Sequence, residues 1–229
     1  WVEGLYAFWD GLLERHPGLI IDNCASGGRR IDLETLGRST PFWRTDFPGN
    51  PTAKQCHTYG LSFWVPLNAT GAVAPGRDSD YAWRSTISSS VVVNLFGNGD
   101  AAQVKLPGND FPYDKARAVL QQYRRLQPCF LGDYYPLAPY TKASDRWLAW
   151  QFHRPDLDEG MVQAFRREHS GYESARLKLR GLEPEARYAV TQADTTETQE
   201  INGRELMERG LLVLLPGPPA AALITYRRL

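Results

Sequence analysis

Hydrophobic positions at the start of the chain recur every three or four residues: Val2, Leu5, Phe8, Trp9, Leu12 and Leu13. That spacing lays them along one side of a helix over residues 1–16, which Pro17-Gly18 stops. The apolar run Leu19-Ile20-Ile21 follows and breaks off at Asp22, as a buried strand does. Ile31, Leu33 and Leu36 predict a short helix closed by Gly37, and Phe42–Asp46 predicts a second strand. Further on, Thr52–Tyr59 reads as a helix, Leu61–Leu67 as a strand, 68–79 as a Gly- and Pro-rich loop and Tyr81–Ser89 as a helix. Val91–Phe96 carries the clearest strand signal, and Asp114–Arg125 is an amphipathic helix with Ala116, Val119, Leu120 and Tyr123 on one face. Alternating strands and helices predict a parallel sheet of about four βα units. On pattern alone, a small open α/β sheet and half of an eight-stranded barrel fit equally well.

Beyond Pro136-Leu137-Ala138-Pro139 the period changes. Trp147–Phe152, Gly160–Phe165, Ala175–Leu179, Ala186–Thr191, Leu211–Leu215 and Ala221–Tyr226 are short strand candidates, spaced by turn formers such as Pro155-Asp156 and Gly181. Short strands without long helices predict an antiparallel β-sandwich. The expected division is therefore an α/β domain over 1–140 and an all-β domain over 141–229.

With 42% hydrophobic residues the chain can fill a core, and its 26 basic and 26 acidic residues cancel. A neutral chain offers no field for nucleic acid, and no apolar run approaches the roughly 18 residues of a membrane helix. Neither partner is expected. Cys24, Cys56 and Cys129 are odd in number and widely spaced, which points to a reducing, cytoplasmic setting rather than a disulfide framework. Cys56-His57 is a poor metal pair, because adjacent ligands on a helix do not converge on one ion. The sequence contains no cofactor motif, and no cofactor is expected.

Chemistry concentrates in Ile20–Asp46. The first predicted strand ends in Cys24-Ala25-Ser26-Gly27-Gly28, and the second ends in Trp43-Arg44-Thr45-Asp46. Two neighbouring strand ends that gather a thiol, glycines, an indole, a guanidinium and a carboxylate are how an α/β enzyme builds a site wall. Each residue also has a plainer reading. Asp46 could simply pair with Arg44, Cys24 could be a small buried residue without a base, and Asp32 near Arg30 could serve a helix start.

The segments Cys24-Ala25-Ser26-Gly27-Gly28-Arg29-Arg30-Ile31-Asp32 and Trp43-Arg44-Thr45-Asp46 resemble the retaining α-galactosidases of glycoside hydrolase family 36. The family pattern runs C-[SA]-[SG]-G-G-x-R-x-D and then W-x-[ST]-D, with similar spacing between them. The family usually has Glu two residues before the Cys, where this chain has Asp22. The resemblance implies that residues 1–140 are the second half of a (β/α)8 barrel and that 141–229 are the family's C-terminal β-sandwich. It implies that Asp46 is the general acid/base, with Cys24 and Gly27 lining the sugar pocket. Trp43 and Arg44, beside them in the wall, are candidate substrate-binding residues.

Retaining hydrolysis needs two carboxylates about 5–5.5 Å apart, one attacking and one protonating the leaving oxygen. The family's nucleophile lies in a K-x-D-x-N-like strand end upstream of the Cys motif, and these 229 residues contain no such string. The expectation is a portion of an α-galactosidase-type hydrolase, inactive alone on terminal α-galactosides. The alternative is a self-assembling half-barrel scaffold with at most weak sugar binding. A half barrel leaves sheet edges open, so a homodimer or homotetramer is expected.

Overall fold

The computed structural model describes residues 1–40, 42–46, 50–65, 67, 70–73, 79–93, 113–195 and 197–229. Helix α1, Val2–Arg15, carries Glu3 in its first turn and Arg15 in its last, each of the sign that the helix dipole favours. It buries Trp9 and leaves Phe8 exposed. Arg38 holds α1 to the following loop: its Nε donates to Asp10 at 2.7 Å, and its guanidinium lies 4.7 Å from the Tyr6 ring centre. Helix α2, Leu33–Leu36, starts at a capping box in which Asp32 accepts from the Thr35 amide. Helix α3, Pro51–Leu61, has Asn50 as its side-chain cap and proline in its first turn.

Strand β1, Thr70–Val73, pairs in parallel with β2, Ser90–Val93, across the short helix α4, Asp80–Arg84. Helix α5, Tyr113–Leu126, closes this half with Ala116, Val119 and Leu126 turned inward.

Three expectations change here. Leu19 and Ile20 are exposed, and the predicted strand Leu19–Asp22 is reduced to a single parallel bridge, Asn23 to Phe42. Apart from the Thr40 amide on the Ile21 carbonyl, that apolar run has no strand partner among the described residues and forms no ladder. The predicted strand Phe42–Asp46 is likewise no regular strand but an extended segment bridged at Phe42. Leu61–Leu67 is not a strand where described. Helix α3 runs on into it, and the Val65 amide still donates to the Leu61 carbonyl at 2.8 Å. Most of the predicted loop 68–79, and Asn94–Phe96 of the predicted strand, lie outside the described residues.

The second half is mostly antiparallel sheet. Six strands lie in the order β3 (Asp133–Pro136), β4 (Trp147–Arg154), β5 (Glu159–Arg166), β10 (Ala220–Arg228), β7 (Arg187–Gln192) and β8 (Thr198–Asn202). Strands β6 (Ser174–Leu177) and β9 (Leu211–Leu214) make a separate antiparallel pair. Alternate residues of the large sheet feed two cores. Leu148, Trp150, Phe152, Met161 and Phe165 join Tyr81, Trp83, Ile87 and Val119 of the helical half. Ala149, Val162, Ala164, Ile224 and Tyr226 pack with Leu177, Leu211 and Val213 of the small pair. Because both faces are covered, β4, β5 and β10 are nearly continuous in apolar character. The six expected strands are present, and β3 and β8 add to them.

Candidate active-site wall

The two motif segments meet. The Thr40 amide donates to the Ile21 carbonyl at 2.9 Å and the Trp43 amide to the Asn23 carbonyl at 3.1 Å, so 21–23 runs alongside 40–43. Asn23 is buried, and its Nδ2 donates to the Arg30 carbonyl at 3.0 Å, which fixes the far end of the glycine turn. Arg30 in turn reaches the Cys24 carbonyl at 3.4 Å. Asp32 caps α2, as its position suggested.

Gly27 sits at φ +72°, a conformation that L side chains rarely adopt. A Cβ on it would lie 2.9 Å from the Thr45 Cα and 3.1 Å from the Asp46 amide nitrogen. Gly28 is similarly close to the next rung, where a Cβ would lie 3.0 Å from the Arg44 carbonyl oxygen. Both glycines therefore let the turn lie flat against the backbone of Arg44-Thr45-Asp46. Cys24 and Asp46 are exposed, Trp43 is half-buried, and Gly27 is buried.

Arg44 is the surprise of the wall. Its side chain is buried, with 4% of the residue accessible, and burial pushes its pKa down to about 10. One terminal nitrogen donates to Thr58 Oγ1 at 2.7 Å, while Nε and Nη2 have no hydrogen-bond partner among the described residues. No ion pair joins Arg44 to Asp46 among the described residues. His57, next to Thr58 on α3, is pushed down to about 4, first by burial and then by Arg44 and Lys142. The wall thus has an exposed acid at its rim and a buried cation behind it. Sequence reasoning missed the partnership with Thr58, because a charged residue in a strand gives no sign of which face it takes.

Among the described residues no group of three His, Cys, Asp or Glu is placed to hold a metal ion, and all three cysteines are free thiols.

A glycine turn packed on the Trp43–Asp46 segment thus precedes an antiparallel sheet domain. Residues 147–225 match the glycosyl hydrolase family 36 C-terminal domain. The relatives and solved structures that it resembles are α-galactosidases, several of them of family 36. It is 27% identical over 226 residues to the bifunctional α-galactosidase/sucrose kinase AgaSK of Mediterraneibacter gnavus, covering 96% of this chain and 23% of that protein. It is 26% identical over 231 residues to the probable α-galactosidase C of Aspergillus terreus, covering 99% and 30%. The chain therefore spans less than a third of the length of these relatives. Its fold matches the solved galactosidase domain of AgaSK with a TM-score of 0.76 at 22% identity, over 99% of this chain and 31% of that one. A family 36 α-galactosidase AgaA variant from Geobacillus stearothermophilus, crystallised with stachyose, gives a TM-score of 0.77 at 20% identity, with the same coverage.

Proposed function

We propose that these residues form the acid/base-bearing half barrel and C-terminal sandwich of a retaining α-galactosidase-type hydrolase, divided near residue 140. The observation that carries this reading is the seating of Gly27 against Thr45 and Asp46, which joins the two motif segments into one wall. In this reading Asp46 protonates the leaving oxygen of a terminal α-galactoside and later takes a proton from water. Its exposed rim position suits contact with the glycosidic oxygen. Cys24 and Gly27 line the galactose pocket, Trp43 borders it, and Arg44 holds the strand end from behind through Thr58. The attacking carboxylate belongs to a K-x-D-x-N-type strand end that these 229 residues do not contain, so on their own they perform no double displacement.

Exposure of Cys24 gives the test of the pocket. Alkylation of its thiol, followed by mass spectrometry, is expected to slow in the presence of galactose while alkylation of Cys56 keeps its rate. Equal rates at Cys24 with and without the sugar contradict the pocket.

A second reading, a self-assembling half barrel, is favoured by one observation. Ile20, Phe63, Trp64 and Leu67 are exposed together with Leu19. Large apolar side chains left in water favour burial against another protein surface. A homodimer, or a dimer of dimers, about a two-fold axis covers them, and sedimentation velocity at micromolar concentration distinguishes it from a monomer.

A further inference from the structure

Away from the wall, a groove runs between α5 and the open end of the six-stranded sheet. It consists of two adjoining hollows of about 270 and 340 Å³, which share Arg125, Thr191 and Thr225. These volumes lie near the lower end of the roughly 300–1,000 Å³ typical of ligand pockets. Its floor follows from the strand register. Thr225 of β10 pairs with Thr191 of β7, and Thr191 pairs with Thr198 of β8, which places three hydroxyls in a row across three strands. Continued the other way, the same row becomes Met161 and Phe152. The face is apolar where the helical half covers it and changes to hydroxyls where the cover ends. The hollows exist because their lining includes Ala118 and Ala193 from one side and Ala189 from the other, too short to fill the space. Gln122 and Arg125 of α5 form the wall.

The chemistry of this lining selects among occupants. Threonine hydroxyls and glutamine amides both donate and accept hydrogen bonds, as every hydroxyl of a sugar does. A peptide adds to a sheet through a free strand edge, and the one edge bordering the floor is the outer side of β8, whereas most of the floor belongs to β10 and β7, which are paired on both sides. An anionic polymer needs a basic field. Here the lining sets two arginines, Arg125 and Arg227, against Glu159, the register neighbour of Arg227, which is no basic field. The guanidinium of Arg125 can hold a vicinal diol. We propose that this groove is an accessory binding site for a neutral oligosaccharide, distinct from the Asp46 wall. The aromatic residue of the lining, Tyr226, is buried in the core with Leu177 and Val213 and offers no stacking platform, so the affinity is low.

The test is titration of the whole chain, labelled at threonine methyls and backbone amides, with raffinose and, separately, with maltotriose. The expected result is a saturable shift of the Thr191, Thr198 and Thr225 signals with at least one of the two sugars. The isosteric double variant Thr191→Val, Thr198→Val is expected to weaken that binding by about fivefold or more, the worth of roughly one net hydrogen bond. The variant also loses the exposed 2.9 Å bond between these two hydroxyls, so its thermal midpoint should fall by a few degrees at most while the strands, which valine favours, persist. Absence of shifts in the groove up to the solubility of both sugars overturns the proposal, as does binding indifferent to the double variant. Shifts confined to the Cys24–Asp46 segment overturn it too while leaving the α-galactosidase reading intact, since that reading uses none of these threonines.

Discussion

Gly27 lies against Thr45 so closely that a single methyl group has no place between them. The contact ties the glycine turn to the strand end that carries Asp46, and both backbone conformation and space forbid a larger residue. Gly27→Ala is therefore expected to destabilise the protein by about 1–3 kcal/mol, as strained positive-φ positions do. Urea denaturation measures it, with Gly11→Ala as a control, because Gly11 is on α1 with nothing near its missing Cβ.

The two halves are tied by Arg84 and Asp194. Arg84, buried on α4, donates through Nη1 to Asp194 at 2.8 Å and to the Ala221 carbonyl at 2.7 Å, and its Nη2 also meets the carboxylate. The bonded guanidinium holds the Asp194 pKa below the usual carboxylate value. A lowered folded-state pKa gives stability that is full above the unfolded value near 3.8 and is lost as pH falls through the folded one. The stability difference between the native protein and Asp194→Asn should therefore shrink on acidification from pH 7 to pH 3. Because the aspartate is partly exposed, we expect about 1 kcal/mol at pH 7.

Histidines work in the opposite chemical sense in the same direction of pH. His57 is held down to about 4, and buried His153, with Nδ1 3.2 Å from the Tyr226 hydroxyl and Nε2 unpartnered among the described residues, is also lowered, mainly by burial. Asp158 and Asp133 oppose that shift only in part. In the unfolded chain both rings protonate near 6.5, whereas in the fold they stay neutral to lower pH. Stability is therefore full above that value and lost as pH falls toward about 4. Urea midpoints should decline across this window, and less steeply in His57→Gln.

Phe165 joins the cores at the junction of the halves, with its ring centroid 5.1 Å from that of Trp150 and 6.1 Å from that of Tyr81. It is fully buried. Phe165→Ala should cost about 3–5 kcal/mol in urea denaturation, the usual loss for removing a buried aromatic ring.

Helices α1 and α5 were legible because amphipathic spacing is a local signal. The strands β4, β5 and β10 were legible because their apolar runs are short and bounded by turn residues. Strand β8 was not: Thr198-Gln199-Glu200-Ile201-Asn202 sits at the sheet edge with mostly exposed side chains, so no alternation marks it. Leu61–Leu67 misled because an apolar run does not distinguish a strand from a helix end and its turn. In the wall, the motif located Gly27 and Asp46 in sequence, but their contact depends on a positive φ that composition does not encode. Arg44 was visible as a residue and invisible as a buried cation, because its orientation depends on Thr58 of another element.

The central claim is that Asp46 is the acid/base of a site whose nucleophile comes from outside these 229 residues. Hydrolysis of a chromogenic α-galactoside tests it most directly, using this chain alone and mixed with the part of the AgaSK galactosidase domain that lies outside its matched region. Sedimentation verifies assembly of the mixture. The account predicts no turnover by the chain alone and turnover by the assembled mixture. Asp46→Asn should lower that turnover by about 10²-fold or more, and azide, which attacks without a general base, should restore it in part. Turnover by the unmixed chain that Asp46→Asn abolishes, or an assembled mixture indifferent to Asp46→Asn, contradicts the account.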